Sequence, residues 1–308
     1  MKSFTFAASL LLVLYQQAAQ VELQRHQVTA VVRDGSGRSV RGLKGEDFIL
    51  EEDGVRQDIA QFQESSVTSI SLGIFIDTCW EHDIASAEAW ISRPPEAETN
   101  AIAALIGPQD EAILMGCSDG PGHNKLKIYE EFTSERRKIE RHGKRNAGGS
   151  ILDGNVGCCR AGLSRYEVIA SALEKMKTAR NPNRAMVVIT YRADSSMEEQ
   201  LNLASQLARI SQYEIPIYVL GREGPERRLD DKVTIGQLAK ETGGAVFGYG
   251  GYFGSADASP AVRLLEADIR SHYLIGYDSK TSSSFLGPAV RARTRNPDLR
   301  VIVRRALN

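Results

Sequence analysis

The stretch "LGIFIDTCWEHD", Leu72 to Asp83, decides the fold class. Its apolar residues run without polar alternation up to Asp77, which is the pattern of a strand covered on both faces. A cysteine, a tryptophan and further carboxylates follow at once. The stretch therefore indicates a buried strand with polar side chains at its carboxyl end. It leaves open whether these side chains form a metal site, the remnant of one, or only the end of the strand.

Similar apolar runs recur along the chain and are separated by segments with helical spacing. They are EAILMGC from Glu111, AMVVITY from Ala185, IPIYVLG from Ile215 and GAVFGYG from Gly244. Buried strands that alternate with helices form βαβ units with right-handed crossovers. The sequence therefore predicts an α/β fold with a doubly wound, mostly parallel sheet.

Alternating β-type segments flank this region. An Asp-Gly pair at 53–54 separates two of them and is a strong hairpin signal, and an Asn-Pro-Asp turn at 296–298 separates two more. We expect a small β unit at 21–66 and an α/β domain at 67–278. We expect a C-terminal β-hairpin at 279–308 to pack on the β unit.

The first residues carry a targeting pattern. Lys2 precedes an apolar run of about a dozen residues, and small and polar residues follow it, as in a secretory signal peptide. The run is too short to span a bilayer. We expect residues 1–20 to be a signal peptide, the protein to be secreted or periplasmic, and no stable membrane insertion.

The composition and motifs exclude several function classes. The formal net charge of the 308-residue chain is -1, and Glu135 and Glu140 interrupt its most basic stretch, Ser134 to Arg145. No nucleic-acid partner is indicated by such a pattern. The sequence contains no G-x-S-x-G elbow, no G-x-G-x-x-G loop after the first buried strand and no P-loop. We therefore expect a protein that is not an enzyme.

Four cysteines in an oxidising compartment allow up to two disulfides. Cys158 and Cys159 are adjacent, and a bond between them would close a strained ring. We expect at most one of these two to pair elsewhere. A thiolate metal site with three cysteines and His123 is the competing interpretation, although no C-x-x-C spacing supports it.

The order of these parts resembles that of a von Willebrand factor type A (VWA) domain. The similarity is closest to a secreted bacterial kind in which a short β unit precedes the domain. The motifs that carry it are RGLKGEDFILEEDGVRQDIAQF from Arg41, LGIFIDT from Leu72, FTSERRKIE from Phe132 with GGSILDG from Gly148, and SHYLIGY from Ser271. Each motif is weak alone, and their order together is specific. The resemblance implies a VWA/Rossmann-like sheet and a metal-ion-dependent adhesion site at its carboxyl edge.

The resemblance also implies that this adhesion site is degenerate. Asp77 matches the family's first aspartate, and Cys79 and Glu81 stand where two serines follow it. Tyr191 stands where the aspartate after the fourth strand is expected. A neutral thiol is a poor ligand for Mg²⁺, so we expect either no cofactor or weakly bound Mg²⁺. The candidate metal ligands are Asp77, Glu81, Ser150 in place of a threonine, and Asp194.

The neighbouring loops supply the expected binding face, which comprises Trp80, Asp119, Tyr191 and Arg192. For Trp80, packing against the edge of the sheet is the alternative. A disulfide between two of the four cysteines, Cys79, Cys117, Cys158 and Cys159, would hold these loops together in place of a metal.

The function implied is a secreted, non-enzymatic protein-binding or adhesion-type module whose metal dependence is weakened or lost. Its partner would be an unidentified protein or cell-surface ligand. Two alternatives stay open: a structural scaffold of an envelope assembly, and a metal-dependent enzyme.

Overall fold

The computed structural model describes residues 25–66, 69–77, 96–117, 126–148, 165–190, 203–223, 235–250, 257–280 and 289–305. The strands in these ranges are β1 Arg25–Arg33, β2 Phe48–Glu52, β3 Val55–Gln57, β4 Ile59–Ser66, β5 Ser71–Asp77, β6 Glu111–Cys117, β7 Leu126–Thr133, β8 Arg184–Thr190, β9 Ile217–Glu223, β10 Val246–Gly250, β11 Ser271–Asp278, β12 Val290–Thr294 and β13 Arg300–Arg305. The helices are α1 Glu96–Ala103, α2 Arg136–Gly148, α3 Arg165–Met176, α4 Leu203–Ser211, α5 Ile235–Glu241 and α6 Ser259–Arg270, with a 3₁₀ turn at Gly45–Asp47.

The central sheet has six strands in the order β10-β9-β8-β5-β6-β7. All neighbours are parallel except β7, which runs antiparallel to β6. Numbered within this sheet, the order is 3-2-1-4-5-6, the order of a doubly wound α/β fold. The predicted fold class is therefore confirmed. After β5, the chain forms β6 and β7 on one side of β5 and then returns as β8 on its other side. The strand order therefore reverses between β5 and β8.

Helices cover both faces of this sheet, which explains the uninterrupted apolar runs. On one face, Leu72, Ile74 and Ile76 of β5 pack in a core with residues of α1, α2 and α6. On the other face, Phe75 packs in a core with residues of α3, α4 and α5. Every residue of β5 is buried. A strand in this position needs apolar side chains in both directions, as the sequence predicted.

Two antiparallel sheets form a second layered structure around their own apolar core. Their strand orders are β13-β1-β11-β4 and β12-β2-β3. Asp53 and Gly54 join β2 to β3 with φ angles of 49° and 80°. Two consecutive positive φ angles suit the tight turn of a two-residue hairpin loop. The hairpin predicted from the Asp-Gly pair is therefore confirmed.

The C-terminal segment was expected to be a hairpin, but in the described residues its two legs each pair with a strand of the amino-terminal β unit and not with each other. β12 pairs with β2, whereas β13 pairs with β1. Val290 and Ala292 of one leg and Val301 and Val303 of the other pack against the same core. The legs thus lie in opposite layers, each completing a different sheet. β11 also belongs to these layers, because it pairs with β1 and β4.

A buried ion pair joins the antiparallel sheet to the α/β domain. Arg33 of β1 donates from Nε and Nη2 to the two carboxylate oxygens of Asp268 in α6, at 3.0 and 2.5 Å. Its Nη1 donates to the carbonyl oxygen of Gly244 at 2.9 Å, and Ser39 donates to Asp268 at 2.6 Å. The side chains of Arg33 and Asp268 are only 9% and 2% exposed. Burial lowers the pKa of Arg33, but the bonds and charge of Asp268 raise it by more, so the guanidinium stays charged.

A second ion pair fixes the amino edge of the central sheet. Asp110, just before β6, accepts hydrogen bonds from the backbone N–H groups of Ile70 and Gly107, both at 2.8 Å. Arg270 at the end of α6 donates to it at 2.6 Å. Burial raises the pKa of Asp110, yet these donors outweigh burial and hold that pKa below its ordinary value. The carboxylate therefore ties the starts of β5 and β6 to α6.

Candidate functional site at the carboxyl edge of the central sheet

The candidate site lies where the strand order reverses. In open α/β sheets, ligands bind outside the carboxyl ends of the strands at this reversal. Asp77 ends β5 and Thr190 ends β8, and the two residues are partners in the register of these parallel strands. Cys117 ends β6, on the other side of β5. The fold thus brings polar residue types to the ends of three neighbouring strands.

Asp77 is held in place by the neighbouring strand. Its carboxylate accepts a hydrogen bond from the hydroxyl of Thr190, with 2.9 Å between Oδ2 and Oγ1. Asp77 is 4% exposed and Thr190 is fully buried. A buried carboxylate is costly unless donors compensate for the lost water, and a hydroxyl donor at this distance does so. The hydrogen bond therefore both stabilises and orients the carboxylate.

Thr190 is not among the site residues predicted from the sequence. The family's fourth-strand aspartate aligns with Tyr191, one residue later, so the residue that contacts Asp77 was not a candidate. A signal was present, because Thr190 is the polar residue that ends the apolar run from Ala185, as Asp77 ends its own run. Parallel strands of equal length bring such terminal residues together. The two runs could therefore have been aligned by their polar ends.

A second buried carboxylate lies near the carboxyl ends of the strands. Glu98, in the first turn of α1, is fully buried. It accepts a hydrogen bond from the hydroxyl of Tyr249, the residue before the last of β10. The contact links α1, which follows β5 in the chain, to the outermost strand on the other side of β8. No sequence pattern indicated this pair, because a glutamate in a first helical turn is ordinarily exposed.

The described residues supply donors of the type that Mg²⁺ prefers, but they do not complete a metal site. Asp77 and Thr190 offer oxygen atoms, which suit a hard cation. Within the described ranges, no group of three or more His, Cys, Asp or Glu residues is placed to hold a metal ion. The remaining candidate ligands, Glu81, Ser150 and Asp194, lie outside these ranges. The oxygen donors of the described residues thus fit Mg²⁺ in kind, but by themselves they are too few to hold it.

The other residues predicted for this site also lie outside the described residues. They are Trp80, Asp119, His123, Tyr191 and Arg192, together with Cys79, Cys158 and Cys159. Cys117 is described only as the last residue of β6. The binding face, the disulfide and the thiolate alternative therefore stay predictions, as does the signal peptide at residues 1–20. In the part of the chain that the structure describes, no helix is both long and apolar enough to cross a membrane.

Comparison with known proteins finds similarity of fold only. No protein-family profile and no curated protein sequence matches the chain. Among solved structures, a von Willebrand factor type A protein from Catenulispora acidiphila is 11% identical, with 92% of this chain and 73% of that chain covered and a TM-score of 0.43. The SpRpn10 VWA domain is 13% identical, over 62% of this chain and 93% of that chain, with a TM-score of 0.40. Manganese-loaded TRAP protein from Plasmodium vivax is 11% identical, over 80% and 97%, with a TM-score of 0.41.

Values this low assign neither a family nor a function. The strand order of the central sheet, rather than these likenesses, confirms the predicted doubly wound class, in which VWA-like folds are included. Membership of a secreted subfamily with a degenerate adhesion site stays a prediction.

Proposed function

We propose that the protein is a non-enzymatic protein-binding module of adhesion type, which contacts its partner through the loops at the carboxyl edge of the central sheet. The observation that carries this proposal is the buried Asp77–Thr190 hydrogen bond at the reversal of strand order. A fixed carboxylate at this point is suited to organising loops and, through them, a binding face. The partner is a protein or cell-surface ligand outside the cytoplasm.

We include weakened or lost metal dependence in the proposal. Thr190 gives Asp77 a protein donor where an adhesion site gives its aspartate a cation. Cys79 and Tyr191 stand where oxygen ligands are expected, and neither residue type suits Mg²⁺. If Mg²⁺ binds at all, Asp77 with Glu81 and Ser150 would hold it, and its role would be to accept a carboxylate of the partner.

An enzymatic role has little chemical support. The sequence holds none of the phosphate-binding or nucleophile motifs considered above. A fold of this class hosts many functions, so it licenses no reaction without a reactive constellation. The proposal therefore assigns binding, not turnover, to the carboxyl edge.

Charge reversal at the proposed face tests the assignment. The mature protein would be immobilised with an intact fold and used to capture partners from an extracytoplasmic extract of its source, as wild type, as Arg192→Glu and as Arg209→Glu. Arg209 is exposed in the last turn of α4, which points to the amino edge of the sheet, so it is the matched control. We expect one partner with wild type and the control, and its loss with Arg192→Glu. Equal capture by all three proteins would contradict the assignment.

A structural scaffold is the second candidate, and the separate apolar core of the antiparallel sheets favours it. Deleting residues 21–66 would not test this candidate cleanly. β1 lies between β13 and β11, and β4 pairs with β11, so the deletion would strip partners from strands elsewhere in the chain. Surface substitutions on these sheets are the suitable test.

A further inference from the structure

A cavity of about 420 Å³ opens in the antiparallel layers, away from the carboxyl edge of the central sheet. Its lining includes the half-buried Ile49 of β2 and Ile59 and Phe62 of β4, together with the polar side chains of Gln57 and Asp58. β3 pairs only with the second half of β2, from Leu50 to Glu52. Among the described residues, no strand therefore lies beside the first half of β2 on this side. The cavity occupies that opening.

Arginines crowd the outer face of the three-stranded sheet next to this cavity. Arg291 of β12, Glu51 of β2 and Arg56 of β3 lie side by side in register, and Arg293 lies opposite Ile49. The three arginines are exposed. Nη2 of Arg293 lies 3.6 Å from Oε1 of Glu51. This face, which we call the arginine face, thus places three arginines on the strands around one glutamate. Three arginines and one glutamate give this face a formal charge of +2, although the chain as a whole carries -1.

The rim of the cavity continues this face. Arg56 lines both, and Arg295 lines the cavity with its Nε donating to the carbonyl oxygen of Glu46 at 2.7 Å. Asp58 also lines the cavity, but it is paired with Lys280 at 2.7 Å. Four arginines lie across the cavity and the arginine face, against three carboxylates, one of which is paired with Lys280: Arg56, Arg291, Arg293 and Arg295 against Glu46, Glu51 and Asp58.

We propose that the cavity and the arginine face bind an acidic, extended segment of a partner protein, with one apolar side chain of the segment entering the cavity. Guanidinium groups recognise carboxylates through paired, charge-assisted hydrogen bonds. The apolar side chains of Ile49, Ile59 and Phe62 in the lining, beside the arginine face, suit an extended peptide that alternates apolar and acidic residues. A sulfated polysaccharide would use the arginines but would leave the apolar walls without a ligand group. This site is separate from the carboxyl edge, so it can fail or hold independently of the proposed function.

The test uses a fluorescent peptide of alternating leucine and aspartate, a second peptide with serine in place of leucine, and heparin as a polysaccharide probe. Two variants are compared with wild type. Arg291→Glu/Arg293→Glu reverses the charge of the arginine face. Ala60→Trp places a large side chain at an exposed residue that lines the cavity. Arg137→Glu/Arg141→Glu on α2 is the matched control, because both arginines are exposed and distant in sequence from the site. Circular dichroism and unfolding curves confirm that each variant is folded.

We expect the leucine-aspartate peptide to bind wild type and the α2 control equally. Binding should weaken by at least about tenfold in the charge-reversal variant, and the affinity should fall with added salt. Ala60→Trp should weaken the binding of the leucine-aspartate peptide and leave any binding of heparin unchanged. Three results would overturn the proposal: equal peptide binding by wild type and the charge-reversal variant, equal binding of the leucine and serine peptides, or binding of heparin alone.

Discussion

Replacing Thr190 by valine tests whether its hydrogen bond to Asp77 organises the carboxyl edge. Valine and threonine have nearly the same shape, and residue 190 is fully buried, so the substitution opens no cavity. What changes is one hydroxyl donor to a buried carboxylate, at 2.9 Å. Hydrogen bonds to charged groups contribute about 1.5–3 kcal/mol, and a buried acceptor that loses its donor is penalised. We therefore expect Thr190→Val to lower the free energy of unfolding by about 1.5–3 kcal/mol.

Urea unfolding followed by circular dichroism measures this loss, and Thr190→Ser is the matched control. Serine keeps the hydroxyl and removes one buried methyl group, for an expected cost of about 1 kcal/mol. Asp77→Asn provides a second check, because the charge-assisted part of the interaction is absent there. In that background Thr190→Val should cost less than it does in wild type. The reasoning would be refuted if Thr190→Val cost no more than Thr190→Ser, or cost the same with and without Asp77.

Three further predictions concern the joints between the layers. Asp268→Asn leaves the buried charge of Arg33 uncompensated and should lower the unfolding free energy by about 3–5 kcal/mol. The double variant Arg33→Met/Asp268→Leu removes both charges and should recover most of that loss, so equal losses in the two variants would contradict the prediction. Asp110 has a folded-state pKa below its unfolded value, so its contribution to the unfolding free energy is complete at neutral pH and is lost as the pH falls below about 4. Asp110→Asn should therefore reduce the loss of stability at acid pH in unfolding curves measured across pH, and an unchanged pH dependence would contradict this. Gly244→Ala places a Cβ 1.8 Å from a backbone carbonyl oxygen of β9 and should cost about 3 kcal/mol or more, so near-wild-type stability would show that the backbones can separate.

The sequence predicted those parts of the fold that local patterns determine. The apolar run to Asp77 indicated a strand covered on both faces, and β5 is buried throughout. The Asp-Gly pair at 53–54 indicated a hairpin with positive φ angles, and both angles are positive. These features depend on a few adjacent residues, and a periodicity or a turn type reports them directly.

The parts that were missed depend on contacts between distant residues. Thr190 lies 113 positions from Asp77 in sequence, and only the register of β5 and β8 brings them together. Arg33 and Asp268 are 235 positions apart, and each alone has the sequence context of an exposed charge. The legs of the C-terminal segment alternate as hairpin strands do, but alternation does not tell which strand each leg pairs with.

Isothermal titration of the mature protein with Mg²⁺ and Mn²⁺ under oxidising conditions, beside Asp77→Asn, tests the central claim most directly. The claim is a binding module whose adhesion site no longer depends on a metal, because Thr190 supplies a donor to Asp77 and the other ligand positions have changed. The account predicts no heat, or binding weaker than about 1 mM, in both proteins. Binding clearly tighter than this in wild type, lost in Asp77→Asn, would contradict it and would indicate a functional metal site.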